Sequence, residues 1–220
     1  GAEGMLQHLN IITATSGYPA DDVKFRFASA GDSTLAQLLS GDFSLHLKSS
    51  TALGSIVDSL SAFACTLGQQ IKAASINQQE LKHHLPQLSL QVESGPQNAL
   101  AHLLHFRGYD FKQFHLNLYT RPTDGINGNL QLTSLKTGAL LLDKTTAQIT
   151  QNEKGLHIEG LVKNTSKKNP NKFTASVNGE VLNDGFSALA IFRDNKNVEG
   201  INLGLRGQLH PEGDITMHLF

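Results

Sequence analysis

Tryptophan is missing from these 220 residues, cysteine occurs once, and neither sign of charge is in surplus: 18 basic residues stand against 19 acidic, a net charge of −1. Near-neutral charge leaves no overall electrostatic footprint for nucleic acid or an anionic membrane surface, so nucleic acid is not an expected partner. The lone Cys65 excludes an intrachain disulfide and says little about compartment. It lies in an apolar helical stretch without a basic neighbour, which predicts a buried, inert thiol. No run of about 18 apolar residues occurs, and the start Gly1-Ala-Glu-Gly-Met5 has neither a charged n-region nor an apolar h-region. An export signal or membrane anchor is expected only outside these residues. The Gly at position 1 and an ending in mid-alternation after Ile215, Met217 and Leu219 lead us to expect a segment of a longer protein.

Catalytic signatures are also lacking. There is no HExxH, GxSxG, P-loop or GxGxxG, and Gly204-Leu-Arg-Gly207 lies inside a strand pattern rather than between strand and helix. Ten histidines invite a metal hypothesis, but His83 and His84 are adjacent, His102 and His105 sit three apart, and one cysteine cannot build a thiolate zinc site. His115, His157 and His218 fall on the polar parity of their strands, so solvated or cross-strand roles are expected for them. Asp21, Asp22, Asp124, Asp184 and Asp214 sit in turns, where a carboxylate bonds local backbone. The expectation is a non-enzyme with no metal and no cofactor. The basic loop at residues 163–172 could meet a phosphate head group, although a solvated hairpin loop is the simpler reading.

What the chain does contain is alternation. Gly41-Asp-Phe-Ser-Leu-His-Leu-Lys48, Phe114-His-Leu-Asn-Leu-Tyr119, Gly155-Leu-His-Ile-Glu-Gly-Leu-Val-Lys163, Gly200-Ile-Asn-Leu-Gly-Leu-Arg206 and Gly213-Asp-Ile-Thr-Met-His-Leu219 place an apolar side chain at every second position. Period two is the strand period, so each segment has one apolar and one wet face. The 39% hydrophobic content is enough for a folded core.

Three regions follow. Residues 1–50 read as a β segment, with strands at 9–15, 23–28 and 43–48. Residues 51–108 read as helical with one isolated strand at Leu88, Leu90 and Val92. Here Ile56, Leu60, Phe63, Leu67 and Ile71 form one face of an amphipathic helix expected to pack on the sheet. A shorter helix over 76–85 is stopped by Pro86, and a third runs from near Pro96 to Gly108. Residues 109–220 read as an antiparallel meander of seven to nine strands, paired in sequence order. Turn chemistry at 123–128, 152–155, 183–185, 194–200 and 211–214 separates them. The consecutive Leu140, Leu141 and Leu142 predict a bulge or bend that curves the sheet. The fold class is therefore mainly β with a helical insert (α+β): one structural unit, a curved antiparallel sheet with about three helices packed at one end.

The apolar parity gathers Leu116, Leu118, Leu130, Leu132, Leu156, Ile158, Val177, Val181, Ala188, Ala190, Ile201, Leu203, Leu205, Ile215 and Met217 as successive rungs. On the residues alone, a face covered by the helices is an ordinary core and a scaffold function follows. With only three helices, all placed before the meander, much of the face could instead line a groove.

Thr137-Gly-Ala-Leu-Leu-Leu-Asp143, Gly155-Leu-His-Ile-Glu-Gly160, Lys168-Asn-Pro170 followed by Phe173-Thr174, and Glu212-Gly213 running to Met217-His-Leu219 resemble the TamB-like translocation and assembly module proteins of the Bacteroidetes type, within the AsmA-like superfamily. The resemblance runs from about Asp21 to Phe220 and includes Ala28-Ser-Ala-Gly-Asp-Ser33 and Ser40-Gly-Asp-Phe-Ser-Leu-His-Leu47. It implies a periplasmic, envelope-spanning β-taco or repeating β-groove with an apolar interior, inner-membrane anchored outside these residues. Its function would be phospholipid transport to, or protein assembly in, the outer membrane. The implied partners are phospholipid acyl chains, an outer-membrane assembly or lipid-transport protein, and neighbouring segments of the same chain. The implied lipid-lining residues are Leu116, Leu118, Leu130, Leu132, Leu156, Ile158, Leu203, Leu205, Ile215 and Met217. The alternative is a structural scaffold domain with a closed core and no lipid path.

Overall fold

Hairpins joined end to end build one sheet across almost the whole chain. The structure is a computed structural model and describes residues 1–12, 17–19, 21–138, 140–167, 169, 172–210 and 214–220. Residues 13–15 of the expected first strand, 211–213 of the expected last turn, and Lys168, Pro170 and Asn171 of the basic loop lie outside the described residues.

The strands are β1 (Ala2–Leu6), β2 (Asn10–Ile12), β3 (Gly17–Pro19), β4 (Val23–Ala30), β5 (Ser33–Ser40) and β6 (Phe43–Ser49) before the helices. Helix α1 (Leu53–Lys72) and helix α2 (Gln78–His83) follow, then β7 (Leu88–Ser94), helix α3 (Ala99–Phe106) and β8 (Tyr109–Asp110). The meander comprises β9 (Gln113–Arg121), β10 (Gly125–Thr137), β11 (Leu140–Gln151), β12 (Gly155–Asn164), β13 (Phe173–Leu182), β14 (Gly185–Asp194), β15 (Glu199–Leu209) and β16 (Ile215–Leu219). Their order in the sheet is β1-β4-β5-β6-β7-β9-β10-β11-β12-β13-β14-β15-β16, with β8 also pairing β10 and β2-β3 forming a separate ribbon. Every pairing is antiparallel. The sheet is curved and unclosed, and β1 and β16 are its edges.

Several expectations need correction. The strand at Leu88, Leu90 and Val92 is not isolated: β7 pairs with β6 on one side and β9 on the other, joining the N-terminal strands to the meander. Of the bulge or bend expected at 140–142 there is no bulge, because Thr137↔Leu140, Lys136↔Leu141 and Leu135↔Leu142 keep register. The irregularity is a bend at Ser134, which adopts a φ of 55° opposite Asp143. A true register shift occurs between Phe192 and Arg193, where Gly200 is the extra residue on β15.

The helices stay between Leu53 and Phe106 but do not share one end. Ala52, at the N-cap of α1, has no side chain to cap with, and the Leu53 N–H instead donates to Ser29 Oγ of β4 at 3.1 Å. At the other end of the α1 segment the Ile76 N–H donates to the Asn183 carbonyl in the β13–β14 turn at 3.2 Å. This bond removes Ile76 from the second helix, which is shorter than the expected 76–85 and starts after the Asn77 cap. Helix α1 therefore crosses from the β4 side of the sheet to the β13–β14 turn. Helix α3 starts at Ala99 rather than near Pro96, because Asn98 caps it. It lies at the opposite end of the sheet, where Asn98 reaches Asp42 in the β5–β6 turn at 2.6 Å.

Candidate functional site, an uncovered apolar sheet face

Residues opposite one another in antiparallel register share a face, so the registers can be followed across the sheet. One row reads Ala2, Phe27, Ala36, Leu47, Leu90, Leu118, Gly128, Ile149, Ile158, Gly179, Ala188, Leu205, Leu219. The next reads Gly4, Phe25, Leu38, Leu45, Val92, Leu116, Leu130, Ala147, Gly160, Val177, Ala190, Leu203. Neither row contains a polar side chain. A third, running Phe114, Leu132, Thr145, Val162, Ala175, Phe192, Ile201, is interrupted by Thr145, whose Oγ1 is buried without a partner.

The ten residues expected to line a groove all stand on this face, but not in one environment. Leu118, Ile158 and Leu205 belong to the first row, Leu116, Leu130 and Leu203 to the second, and Leu132 to the third. Leu156 and Met217 lie on the rung that includes Gln151, Val181, Phe186 and Gly207, at the turn end of the sheet. Ile215 pairs with Leu209 beside them. The sequence reading stopped at the meander and missed that β4, β5, β6 and β7 extend the same face through Phe25, Leu38, Leu45, Leu47, Leu90 and Val92. The alternation in residues 43–48 and 88–92 was the available signal.

A small core closes the turn end. Ala74, Ile76, Leu81 and Leu209 form a buried cluster, with Phe63, Leu67 and Val181 packed against it. Ile56, also on the inner side of α1, is buried as well, but Leu60 and Ile71 are not: they are 47% and 50% exposed. At about 100° per residue these two lie roughly 40° and 60° around the axis from the inner stripe, toward exposed Leu53 and Val57. The expected five-residue packing stripe is thus two stripes, one buried and one open. Cys65 is exposed rather than buried, because it falls outside both, and its sulfur accepts only a 3.7 Å contact from Gln69 Nε2.

Polar side chains fasten α2 to the hairpin turns. Gln78 Nε2 donates to the Val181 carbonyl at 2.9 Å, and the Gln78 N–H donates to Asn183 Oδ1 at 3.3 Å. Lys82 Nζ reaches the Thr123 carbonyl at 3.3 Å. Beyond this stopper the two apolar rows are not covered by any helix. Ile158 is 42% exposed, Val177 49% and Leu203 56%.

The opposite face is mixed, with Leu35, Leu39, Leu161, Leu189 and Ile191 among polar residues, and several of its charged side chains are matched. Glu93 lies across from His115 at 3.3 Å, His157 across from Glu180 at 3.1 Å, and Arg193 across from Glu199 at 2.9 Å. His115 also accepts from Asn117 Nδ2 at 2.6 Å. A depression of about 440 Å³ on this face is lined by His115, Gln131, Thr146, Gln148, Glu159 and Ser176. Its imidazole and carboxylate stand on β9 and β12, three strand spacings or about 14 Å apart, beyond reach of direct proton exchange. Among the described residues, no three His, Cys, Asp or Glu side chains are grouped to hold a metal ion, and no helix is long and apolar enough to cross a membrane. No protein-family model, curated protein or solved structure matches the chain.

Proposed function

We propose that this chain is a segment of a TamB-like cell-envelope protein whose apolar sheet face carries phospholipid acyl chains between membranes. The observation that supports this reading is the pair of apolar rows that run, uncovered, across twelve and thirteen strands. Soluble monomers rarely leave an apolar patch larger than a few hundred Å² exposed. A scaffold with a closed core would need those rows buried, and here burial is concentrated at the helix-stoppered end.

The energetics favour a passive role. A ~16-carbon acyl chain gains about 13 kcal/mol on leaving water, at roughly 0.8 kcal/mol per CH₂. It already enjoys nearly that much in a bilayer, so transfer onto an equally apolar surface is close to isoenergetic. Neither nucleotide nor covalent chemistry is then required within this segment. The open edges β1 and β16 suit continuation of the sheet by neighbouring segments or by an outer-membrane assembly or lipid-transport partner.

The test is site-specific photocrosslinking in cells. A photoreactive residue at Ile158 or Leu203 is expected to capture lipid, and one at His157 or Glu159, on the other face, is not. Ile158→Asp, in protein first checked for folding, is expected to abolish capture at Leu203, because an unpaired charge on an apolar path costs several kcal/mol. Equal capture from both faces, or none from either, rules the reading out.

A further inference from the structure

Across the mixed face one row reads Gln91, Asn117, Asn129, Gln148, Glu159, Asn178, on strands β7 and β9 to β13. All but Glu159 are carboxamides. Asparagine is depleted in strands and glutamate mildly so, yet Asn117, Asn129, Glu159 and Asn178 all stand in strand interiors. Residues that oppose local preference, repeated at one register on successive strands, mark a position that serves something other than the sheet.

Cross-strand bonding does not account for the row. Where it continues into β5 and β6, Gln37 Nε2 and His46 Nδ1 lie within hydrogen-bond distance at 3.2 Å. Beyond His46, the side chains of Gln91, Asn129, Gln148, Glu159 and Asn178 bond to no other protein group among the described residues. Asn117 commits its Nδ2 to His115 and leaves Oδ1 buried with no partner. Glu159 is the one carboxylate of the row, whereas the rows on either side carry the pairs of His115 with Glu93 and of His157 with Glu180.

The depression of about 440 Å³ follows this row. Asn129, Gln148, Glu159 and Asn178 line it, with Gln131, Thr146, Ser176 and Leu161 of the next row. Its lining is therefore amide and hydroxyl, donor and acceptor together, beside one aliphatic side chain.

We infer that this row binds a neutral, polyhydroxylated chain, a β-linked glycan, laid across the strands. A sugar hydroxyl is both donor and acceptor, as is a carboxamide, so the two sets pair without leaving a charge unmatched. The row presents one polar side chain per strand, at ~4.8 Å intervals over about 24 Å, close to the advance of an extended β-linked pyranose chain per sugar. Leu161 meets the C–H side of a ring. The site is on the face opposite the acyl-chain path and does not depend on that reading.

Titration of isotope-labelled protein with cellohexaose and with chitohexaose, followed by NMR of the side-chain NH₂ groups, tests it. The signals of Asn129, Gln148 and Asn178 are expected to shift together, with affinity rising from cellobiose to cellohexaose as more strands engage. Asn129→Val with Asn178→Val, both at exposed positions, should weaken binding about tenfold through the lost hydrogen bonds. The Tm of the same variant should rise, because valine suits a strand better than asparagine. No shift of these signals with either hexasaccharide at millimolar concentration overturns the inference, as does binding that survives the double substitution. Equal affinity for cellobiose and cellohexaose, or for cellohexaose and the α-linked, coiled maltohexaose, also overturns it, since the strand-by-strand step would then play no part.

Discussion

Gln151 Nε2 donates to Gln78 Oε1 at 2.8 Å, a buried contact between residues 73 positions apart. Gln151 Oε1 in turn accepts the Ile126 N–H at 3.0 Å, so one side chain joins α2, β10 and β11. Neither amide reaches water, and the contact holds the helical stopper in place.

Replacing Gln151 by Leu leaves Gln78 Oε1 and the Ile126 N–H buried without partners. At about 1–3 kcal/mol for each stranded group, the loss of stability should be about 2–4 kcal/mol, read from urea unfolding. Exposed Gln79, one residue from Gln78, serves as a control whose change to Ala should stay within about 0.5 kcal/mol.

Phe63 and Leu60 separate the two stripes of α1. Phe63 packs on the buried cluster while remaining partly accessible, so Phe63→Ala should cost about 2–3 kcal/mol, below the ~3–5 of a fully buried aromatic. Leu60→Ala, on the open stripe, should cost under about 0.5 kcal/mol. Equal losses at both sites would place the open stripe against the sheet.

At the other end, Asn98 is fully buried. Its Oδ1 accepts the Ala101 N–H at 2.8 Å, and its Nδ2 is shared among Asp42 Oδ1, Ser94 Oγ and the Gly95 carbonyl. Asn98→Ala loses a helix cap worth about 1 kcal/mol and strands buried acceptors at about 1–3 kcal/mol. A total near 2–4 kcal/mol is expected, with amide exchange in α3 accelerated beyond that in the meander.

Cys65 should react with a maleimide in the folded protein at nearly the rate seen in urea, with Tm unchanged by the label. Protection in the folded state would mean that another surface covers this side of α1.

Much of the sheet was legible because its signal is local. Strict alternation located β6, β9, β12 and β15, and parity alone placed all ten candidate residues on one face. Strand β5 was missed because Leu38 and Leu39 are both apolar and Ala36 carries little weight, so Ser33–Ser40 has no clean period. The course of α1 was hidden for another reason. Its ends are set by Ser29 and Asn183, bonded to residues 24 and 107 positions away in the chain, and no window of sequence contains both. Phe63 and Leu60 look alike on a helical wheel when the direction of the sheet is unknown, which is why one stripe was expected where there are two.

Helix α1 is tied to the sheet near β4 at its start and by the β13–β14 turn beyond its end. Its 20 residues measure about 30 Å at ~1.5 Å per residue. The sheet between the same two places comprises eight strand spacings, about 38 Å along its surface at ~4.8 Å each. The helix is a bowstring, shorter than the bow it spans. Flattening the sheet would have to draw on the four residues from Ala73 to Ile76 that carry the bond to Asn183, so one helix and its short exit limit how far the sheet can unbend.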